Sequence, residues 1–293
     1  MEDGLVSDLE TANSNIALPR FNQKNSGVMV KKVVFIMSLP LSTKIISDFY
    51  IREILDEGIE VEYWNVAEIL FKKTYPTPEG NLKGVGSCTF RFLSDFKKAI
   101  FKSDKLTTVF IPQITYDYRS FKIFRIISKA NCCTFFFARG ALPINPGKKR
   151  SDFLKLLNYR LPFKLASKIS QKIIAFYLLE SKKRGWIKPH DVLFAAGSKA
   201  PQVIGVGGKL DFGKGKVVPI NYFDYDVFQS EAAKESVPSQ NYCVFLDEYL
   251  TRHPDFIALG IPLVDEQSYF NHLNNFFASV EKALNIKVVI AAP

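Results

Sequence analysis

The chain has 293 residues, of which 47% are hydrophobic and 14% are aromatic, including 26 phenylalanines. A polypeptide of this length and apolar content can bury a full core and has room for about two domains of roughly 150 residues each. So many aromatic side chains exclude disorder over most of the length. Lysine and arginine outnumber aspartate and glutamate by 39 to 29, which gives a formal net charge of +10.

The cysteines and the N-terminal residues indicate the cellular compartment in which the protein is expected. Four cysteines form no CxxC pair, and the adjacent Cys132 and Cys133 would point to opposite faces of a strand. Buried thiols are therefore expected rather than a disulfide framework or a zinc site, in agreement with a reducing cytoplasm. Residues 1–32 lack the charged start and apolar run of a signal peptide, which predicts a loose leader. The sequence has no run of about 18 apolar residues, so no membrane span is predicted.

The first predicted elements form a β-α-β unit. Residues 33–37 are predicted to be a buried strand, residues 43–57 a helix that ends before Gly58, and residues 59–65 a strand with alternating polarity. A helix that connects two strands in this way implies that the strands are parallel.

The same alternation continues along the chain. Further strands and helices are predicted at residues 90–101, 106–111, 119–128, 132–138, 191–196 and 217–220. A longer helical segment covers residues 151–181, with a break or kink at Pro162. Repeated βα units predict a doubly wound, Rossmann-like parallel sheet over residues 33–220. The ligand crevice should then lie beyond the carboxyl ends of its strands, in the loops 38–42, 112–117 and 139–143.

A polar linker is predicted at residues 228–240, so that residues 33–228 form the first domain. Residues 241–293 then begin a second lobe, with strand 242–246, helix 265–284 and strand 286–291. Because sheets normally hold about five or six strands, this is the start of a second Rossmann-like lobe. The first of its strands should be covered by one helix face, formed by Phe270, Leu273, Phe276, Phe277, Val280 and Leu284.

Within the glycine-rich stretch at residues 205–216, residues 208–215 (GKLDFGKG) nearly match the phosphate-binding loop GxxxxGK[ST]. Gly215 stands where that loop has a hydroxyl side chain, and the next residues do not predict a helix. We therefore expect a turn in a hairpin-like stretch rather than a nucleotide-triphosphate site.

The positive charge is concentrated in one segment. Residues 148–188 contain twelve lysines and arginines against two acidic residues, Asp152 and Glu180, a difference equal to the whole net charge. Apolar residues alternate with the basic ones, which is typical of a basic amphipathic surface helix. An anionic membrane surface is the predicted partner, and the alternative is a helix packed on the sheet with a solvated lysine face. No recognised nucleic-acid module accompanies the charge, so nucleic acid is not predicted.

Acidic and imidazole side chains follow several predicted strands. Asp224 and Asp226 come after the strand at 217–220, and Asp247, Glu248 and His253 come after the strand at 242–246. A carboxylate or imidazole in such a loop can deprotonate a sugar hydroxyl as a general base. Alternatively, Asp224 caps a turn and His253 braces a loop.

Three segments together resemble a group of glycosyltransferase-like proteins from bacterial capsule and O-antigen gene clusters. They are residues 221–228 (NYFDYDVF), residues 244–256 (VFLDEYLTRHPDF) and the helix and strand at residues 265–292. The resemblance implies a two-domain GT-B architecture, with an acceptor-side domain followed by a donor-side lobe. Members of the group continue into further strands that bind the donor nucleotide, so a C-terminally truncated donor site is expected after Pro293.

The resemblance also implies an activity: transfer of a sugar from a nucleotide-activated donor to a glycan or lipid-linked acceptor. Neither metal nor cofactor is expected, because such enzymes stabilise the leaving phosphates with helix dipoles and basic side chains. The alternative is a non-catalytic carbohydrate- or membrane-binding remnant. The implied location is the cytoplasm, peripheral to the inner face of the plasma membrane. The catalytic candidates are Asp247, Glu248 and His253, and the substrate-binding candidates are Ser38, Arg139, Lys199, Asp224 and Asp226, with Arg139 and Lys199 as anion contacts.

Overall fold

The computed structural model describes residues 29–71, 83–139, 162–197, 200, 206–212, 215–232, 241–247, 250–252, 256 and 261–291. The described residues form a seven-stranded sheet and a two-stranded sheet, and all strand pairs in both are parallel. Helices connect and flank the strands of the larger sheet. The predicted α/β class with a Rossmann-like parallel sheet is confirmed.

The larger sheet has the strand order β3-β2-β1-β4-β5-β6-β7. Its order reverses between β1 and β4, which is the switch point of a doubly wound sheet. The strands are β1 (Lys32–Met37), β2 (Glu60–Asn65), β3 (Val85–Thr89), β4 (Thr108–Pro112), β5 (Cys133–Ala138), β6 (Val192–Ala196) and β7 (Lys216–Ile220).

Helices cover both faces of this sheet because successive side chains of each strand point to opposite faces. Val34 and Ile36 of β1 pack with residues of α4 and α5, while Phe35 packs with residues of α1 and α2. All three side chains are fully buried. The helices of this domain are α1 (Thr43–Asp48), α2 (Ile51–Asp56), α3 (Ala67–Phe71), α4 (Leu93–Lys102), α5 (Phe121–Lys129), α6 (Pro162–Lys183) and α7 (Asp224–Ala232).

The single helix predicted at residues 43–57 is two helices. The Ser42 side chain caps α1, and α1 ends before Tyr50, which has a positive φ of 51°. Such a conformation is uncommon for a residue other than glycine, and no glycine or proline marks this break in the sequence. The turn directs Phe49 into the core and leaves Tyr50 exposed.

Three further elements differ from the prediction. Strand β3 and helix α3 were not predicted; β3 is an edge strand whose residues are mostly exposed, so it lacks the apolar run of a buried strand. Helix α7 occupies residues 228–232 of the predicted linker. Asp224 and Asp226 lie in its first turn, where negative charge stabilises a helix.

The second unit has the predicted strand–helix–strand order. It consists of β8 (Tyr242–Leu246), α8 (Glu266–Leu284) and β9 (Lys287–Ala291), and β8 pairs with β9 in parallel. Phe277 of α8 is buried against Phe245 of β8, with ring centroids 5.0 Å apart. Phe276 and Leu284, which were predicted to cover the strand, are exposed instead. Among the described residues, no helix has the length and apolar character that crossing a membrane requires.

Candidate functional site

The carboxyl ends of β1, β5 and β7 bring three chain segments together at one edge of the sheet. Arg139 follows β5 directly, and its guanidinium lies over two aromatic rings, 5.4 Å from the centroid of Phe49 and 5.1 Å from that of Phe223. Phe223 follows β7 and also packs edge-on against Phe49. We call Arg139, Phe49, Phe223 and Asp48 the Arg139 cluster.

The Arg139 guanidinium retains capacity to bind an anion. Its side chain is 44% exposed, and its ion pair with Asp48 is long, at 3.9 Å. Cation–π contact with the two rings holds the guanidinium without using its N–H donors. A shallow surface groove borders the cluster, lined on the other side by Ala138, Ala196 and Asn221.

A tyrosine–carboxylate pair extends the cluster toward α7. The Tyr50 hydroxyl donates to Oδ2 of Asp226, although 176 residues separate the two in sequence. This hydrogen bond, together with burial, raises the pKa of Tyr50 to about 12. The αL turn after α1 thus connects the β1–β2 crossover to the start of α7.

Exposed aromatic rings also lie on the segment that follows β7. Tyr50, Tyr222, Tyr225 and Phe228 each expose more than two fifths of their surface. Tyr222 adjoins Phe223, and Tyr225 lies near Phe228, with ring centroids 6.2 and 6.4 Å apart, respectively. We call Tyr50, Tyr222, Tyr225 and Phe228, with Asp226 among them, the aromatic surface.

Gln113 connects β4 and β5 at the same edge. The regular pairing of these strands covers only two residue pairs, Val109 with Cys133 and Phe110 with Thr134. Beyond them, the Gln113 side chain donates to the Phe137 carbonyl at 2.8 Å and accepts from the Phe137 amide at 3.2 Å. The side chain therefore takes the place of a ladder pair and fixes the start of the Arg139 loop.

Two other loops end at this edge. Ser38, a predicted substrate contact, follows β1 and is partly buried beside Leu39, whose carbonyl accepts the Tyr63 hydroxyl at 2.6 Å. In the loop after β4, Arg119 pairs with Asp117 and lies over the Phe71 ring at 4.9 Å. Hydrogen bonding to Asp117 raises the pKa of Arg119. These contacts fix the loops on each side of the switch point.

Of the predicted catalytic residues, the structure describes Asp247. It follows β8, and its Oδ1 accepts the Tyr269 hydroxyl of α8 at 2.9 Å. Glu248, His253 and Lys199 lie outside the described residues. Of the predicted site residues that the structure describes, Arg139 and Asp226 lie at the same edge of the seven-stranded sheet. Asp224 lies in the same helical turn as Asp226.

A second group of polar side chains is buried between the sheet, α5 and α6. Nζ of Lys182 lies 2.6 Å from Oδ2 of Asp211 and 4.4 Å from the centroid of the Tyr116 ring. Both charged side chains are almost fully buried, at 3% and 5% exposure. His190 completes the group by stacking on Phe136. We call Lys182, Asp211, His190 and Tyr116, which line one cavity, the polar cavity.

The polar cavity corrects two predictions. Lys182, predicted to be solvated in the basic segment, is buried because its phase on α6 turns it toward Asp211. The glycine-rich stretch contains a 3-10 helix, Gly208–Phe212, rather than only a turn; Gly213 and Lys214 lie outside the described residues. Asp211 within it carries a buried carboxylate, which does not suit phosphate binding.

Burial governs titration in the polar cavity. Desolvation raises the pKa of Asp211 and lowers that of Lys182, in each case against the attraction of the partner charge. His190 is enclosed, its Nδ1 has no hydrogen-bond partner among the described residues, and burial with the nearby Lys182 and Lys188 charges lowers its pKa to about 3. His190 is therefore neutral at physiological pH.

Potential metal ligands and thiols were located among the described residues. Among the described residues, no cluster of three or more histidine, cysteine or acidic side chains could hold a metal ion. Cys132 and Cys133 are buried or half-buried, as predicted, and burial raises their pKa to about 11 and about 12. Such thiols are not activated nucleophiles.

Comparisons with known proteins identify no family. No protein-family model matches the chain, and a search of curated proteins finds no match either. The geometry of the carboxyl edge is therefore the basis of the functional assignment.

Proposed function

We propose that this protein is a glycosyltransferase of bacterial surface-polysaccharide synthesis, with a glycan acceptor bound at the carboxyl edge of the seven-stranded sheet. The aromatic surface, which combines four exposed rings with the Asp226 carboxylate, is the observation that carries the proposal. Sugars have apolar C–H faces that pack on aromatic rings, and hydroxyl groups that donate to carboxylates and accept from guanidinium groups. The aromatic surface and the Arg139 cluster offer all three kinds of partner.

The order of the two units supports the same assignment. A seven-stranded parallel domain is followed along the chain by a second unit with parallel strands. This is the order that the GT-B resemblance implies, with the acceptor side first and the donor side second. The proposed location is the cytoplasm at the inner face of the plasma membrane.

In the proposed reaction, a base removes the proton of an acceptor hydroxyl, whose oxygen bonds to the anomeric carbon of the donor sugar. The bond from that carbon to the nucleotide phosphate breaks, and its electron pair leaves with the phosphate. The base candidates are Asp247, Glu248 and His253. Arg139 and Lys199 are proposed to hold an anionic substrate group through charge-assisted hydrogen bonds. The nucleotide sugar is a substrate, and the reaction as proposed uses neither metal nor cofactor.

Nucleotide release from a panel of UDP-, GDP-, CMP- and dTDP-sugars, with and without oligosaccharide acceptors, tests the proposal. Arg139→Gln should lower kcat/KM at least about tenfold, because each charge-assisted hydrogen bond contributes about 1.5–3 kcal/mol. Lys98→Gln is the control, since Lys98 is 81% exposed on α4. Absence of acceptor-dependent release with every donor, or an equal loss in both variants, would contradict the proposal.

The alternative is a carbohydrate-binding protein without turnover, for which the exposed rings of the aromatic surface would also serve. A glycan microarray separates the two functions. Glycan binding that Tyr222→Ala weakens, without nucleotide release under any condition, would establish the binding protein. Glycan binding together with acceptor-dependent release would establish the enzyme.

A further inference from the structure

One face of helix α6 is apolar and exposed. Ile169, Ile173 and Phe176 follow one another at i, i+4 and i+7, so they form one stripe along the helix. Their exposed fractions are 50%, 62% and 64%. A surface helix normally turns such a stripe toward the core. In the described part of α6, the apolar stripe faces solvent instead.

The opposite side of the helix is fixed to the domain by specific contacts. Leu178 and Ser181 are buried, and the Leu178 carbonyl accepts the Tyr116 hydroxyl at 3.1 Å. Lys182 lies on the same side and pairs with the buried Asp211. Rotation of the helix to bury the apolar stripe would break these contacts, so the stripe is held outward.

Basic and amphipathic side chains border the stripe. Lys172, Lys183 and Arg184 are exposed, and Tyr177 and Trp186 are 48% and 36% exposed. Tyrosine and tryptophan favour the level of lipid headgroups, where their apolar rings and polar tips are both accommodated. Exposed apolar side chains between cations are therefore matched to an anionic bilayer surface.

The charge also argues against a second copy of this chain as the occupant. Among the described residues beside the stripe, the exposed Lys172, Lys183 and Arg184 stand against one acidic residue, Glu180, so a second copy would bring two positively charged surfaces together. Like charges brought together in an interface oppose association. An anionic partner removes this repulsion.

We propose that α6 lies flat on a bilayer containing anionic phospholipid, with Ile169, Ile173 and Phe176 inserted among the acyl chains and its basic side chains at the headgroups. This deepens the proposed location at the inner face of the plasma membrane, and it requires neither donor nor acceptor. Lipid binding and glycosyl transfer can each fail without the other.

Sedimentation with vesicles tests the insertion of the stripe. The full chain should bind phosphatidylcholine vesicles that contain phosphatidylglycerol, bind pure phosphatidylcholine vesicles much less, and dissociate as salt is added. Phe176→Ser should lower the partition coefficient about tenfold or more, because a buried aromatic side chain returns to water. Phe92→Ser is the matched control, since Phe92 is 66% exposed on the seven-stranded domain and should not affect binding.

A second pair of variants tests the basic side chains. Replacing three basic residues together by Gln should weaken binding to anionic vesicles and reduce the salt dependence of that binding. The three residues are Lys172, Lys183 and Arg184. The control replaces Lys97, Lys98 and Lys102, which are exposed on α4 and have the same total charge. Circular dichroism should show the same helix content in all variants, since every substituted side chain is exposed.

Several results would overturn the proposal. One is equal sedimentation with neutral and anionic vesicles, and another is an equal effect of Phe176→Ser and Phe92→Ser. Absence of vesicle binding would show that protein covers the stripe. Sedimentation velocity without lipid would then identify a second copy, if Phe176→Ser converts an oligomer to a monomer.

Discussion

The seven-stranded sheet and the β8–β9 unit have the same strand–helix–strand sequence pattern, but they differ in how much apolar surface is covered. Phe35 of β1 is fully buried, whereas Leu246 of β8 and Ile290 of β9 are 74% and 52% exposed. Helices cover both faces of the larger sheet, whereas α8 packs on one face of the smaller one. Hydrophobic periodicity thus predicts an element, while its burial depends on the layers that the fold supplies.

The largest expected difference in unfolding free energy is between two truncations. One leaves a cavity in the seven-stranded domain, and the other shortens an exposed side chain of the β8–β9 unit. Phe35→Ala should lower the free energy of unfolding by about 3–5 kcal/mol, because it leaves a cavity in a fully covered layer. Leu246→Ala should change it by about 0.5 kcal/mol or less, as expected for an exposed side chain. Urea denaturation monitored by circular dichroism measures both, and equal losses would show that β8 is as well covered as β1.

The two units also differ in the burial of their ion pairs. Lys182→Met leaves Asp211 as an unpaired buried charge and should cost about 3–5 kcal/mol. In the second unit, Arg252 pairs with Glu266 at 3.2 Å in an exposed setting, so Arg252→Gln should cost about 1 kcal/mol or less. Urea denaturation measures the stability change of each variant. The double variant Lys182→Met with Asp211→Leu should recover most of the stability lost in Lys182→Met. No recovery would mean that packing of the lysine stem, rather than charge, is responsible.

The last expected effect is pH-dependent and belongs to the polar cavity. His190, faced by Lys182, Lys188, Asp211 and Tyr116, has a folded-state pKa of about 3, below its ordinary value near 6.5. Between these values the unfolded chain binds a proton that the folded chain does not. Stability is therefore complete above about pH 6.5 and falls on acidification by up to about 1.4 kcal/mol per pH unit.

Denaturation curves between pH 7 and pH 4 measure this slope, and His190→Leu should reduce it. An NMR titration of the His190 ring should show no protonation over the same range. Protonation near the ordinary value in the folded protein would contradict the account.

Much of the fold was predictable because buried parallel strands are nearly continuous apolar runs, as in β4 and β6. Arg139 and Asp226 were also predictable, since residues that follow parallel strands meet at one edge. Phe49 and Tyr50 were missed because they lie inside a predicted helix and reach that edge only through a positive φ. Burial of Lys182 depends on a contact with Asp211, 29 residues away, which no local pattern indicates.

Amide hydrogen exchange with bound glycan shows where on the molecule an acceptor binds. The probe is the oligosaccharide that binds most tightly on a microarray of bacterial surface glycans. We predict slower exchange in residues 43–56 and 221–232, which contain the Arg139 cluster partners and the aromatic surface, and unchanged exchange in residues 242–246. Slowing confined to residues 242–246 and 266–291, or no glycan binding at all, would contradict acceptor binding at the carboxyl edge of the seven-stranded sheet.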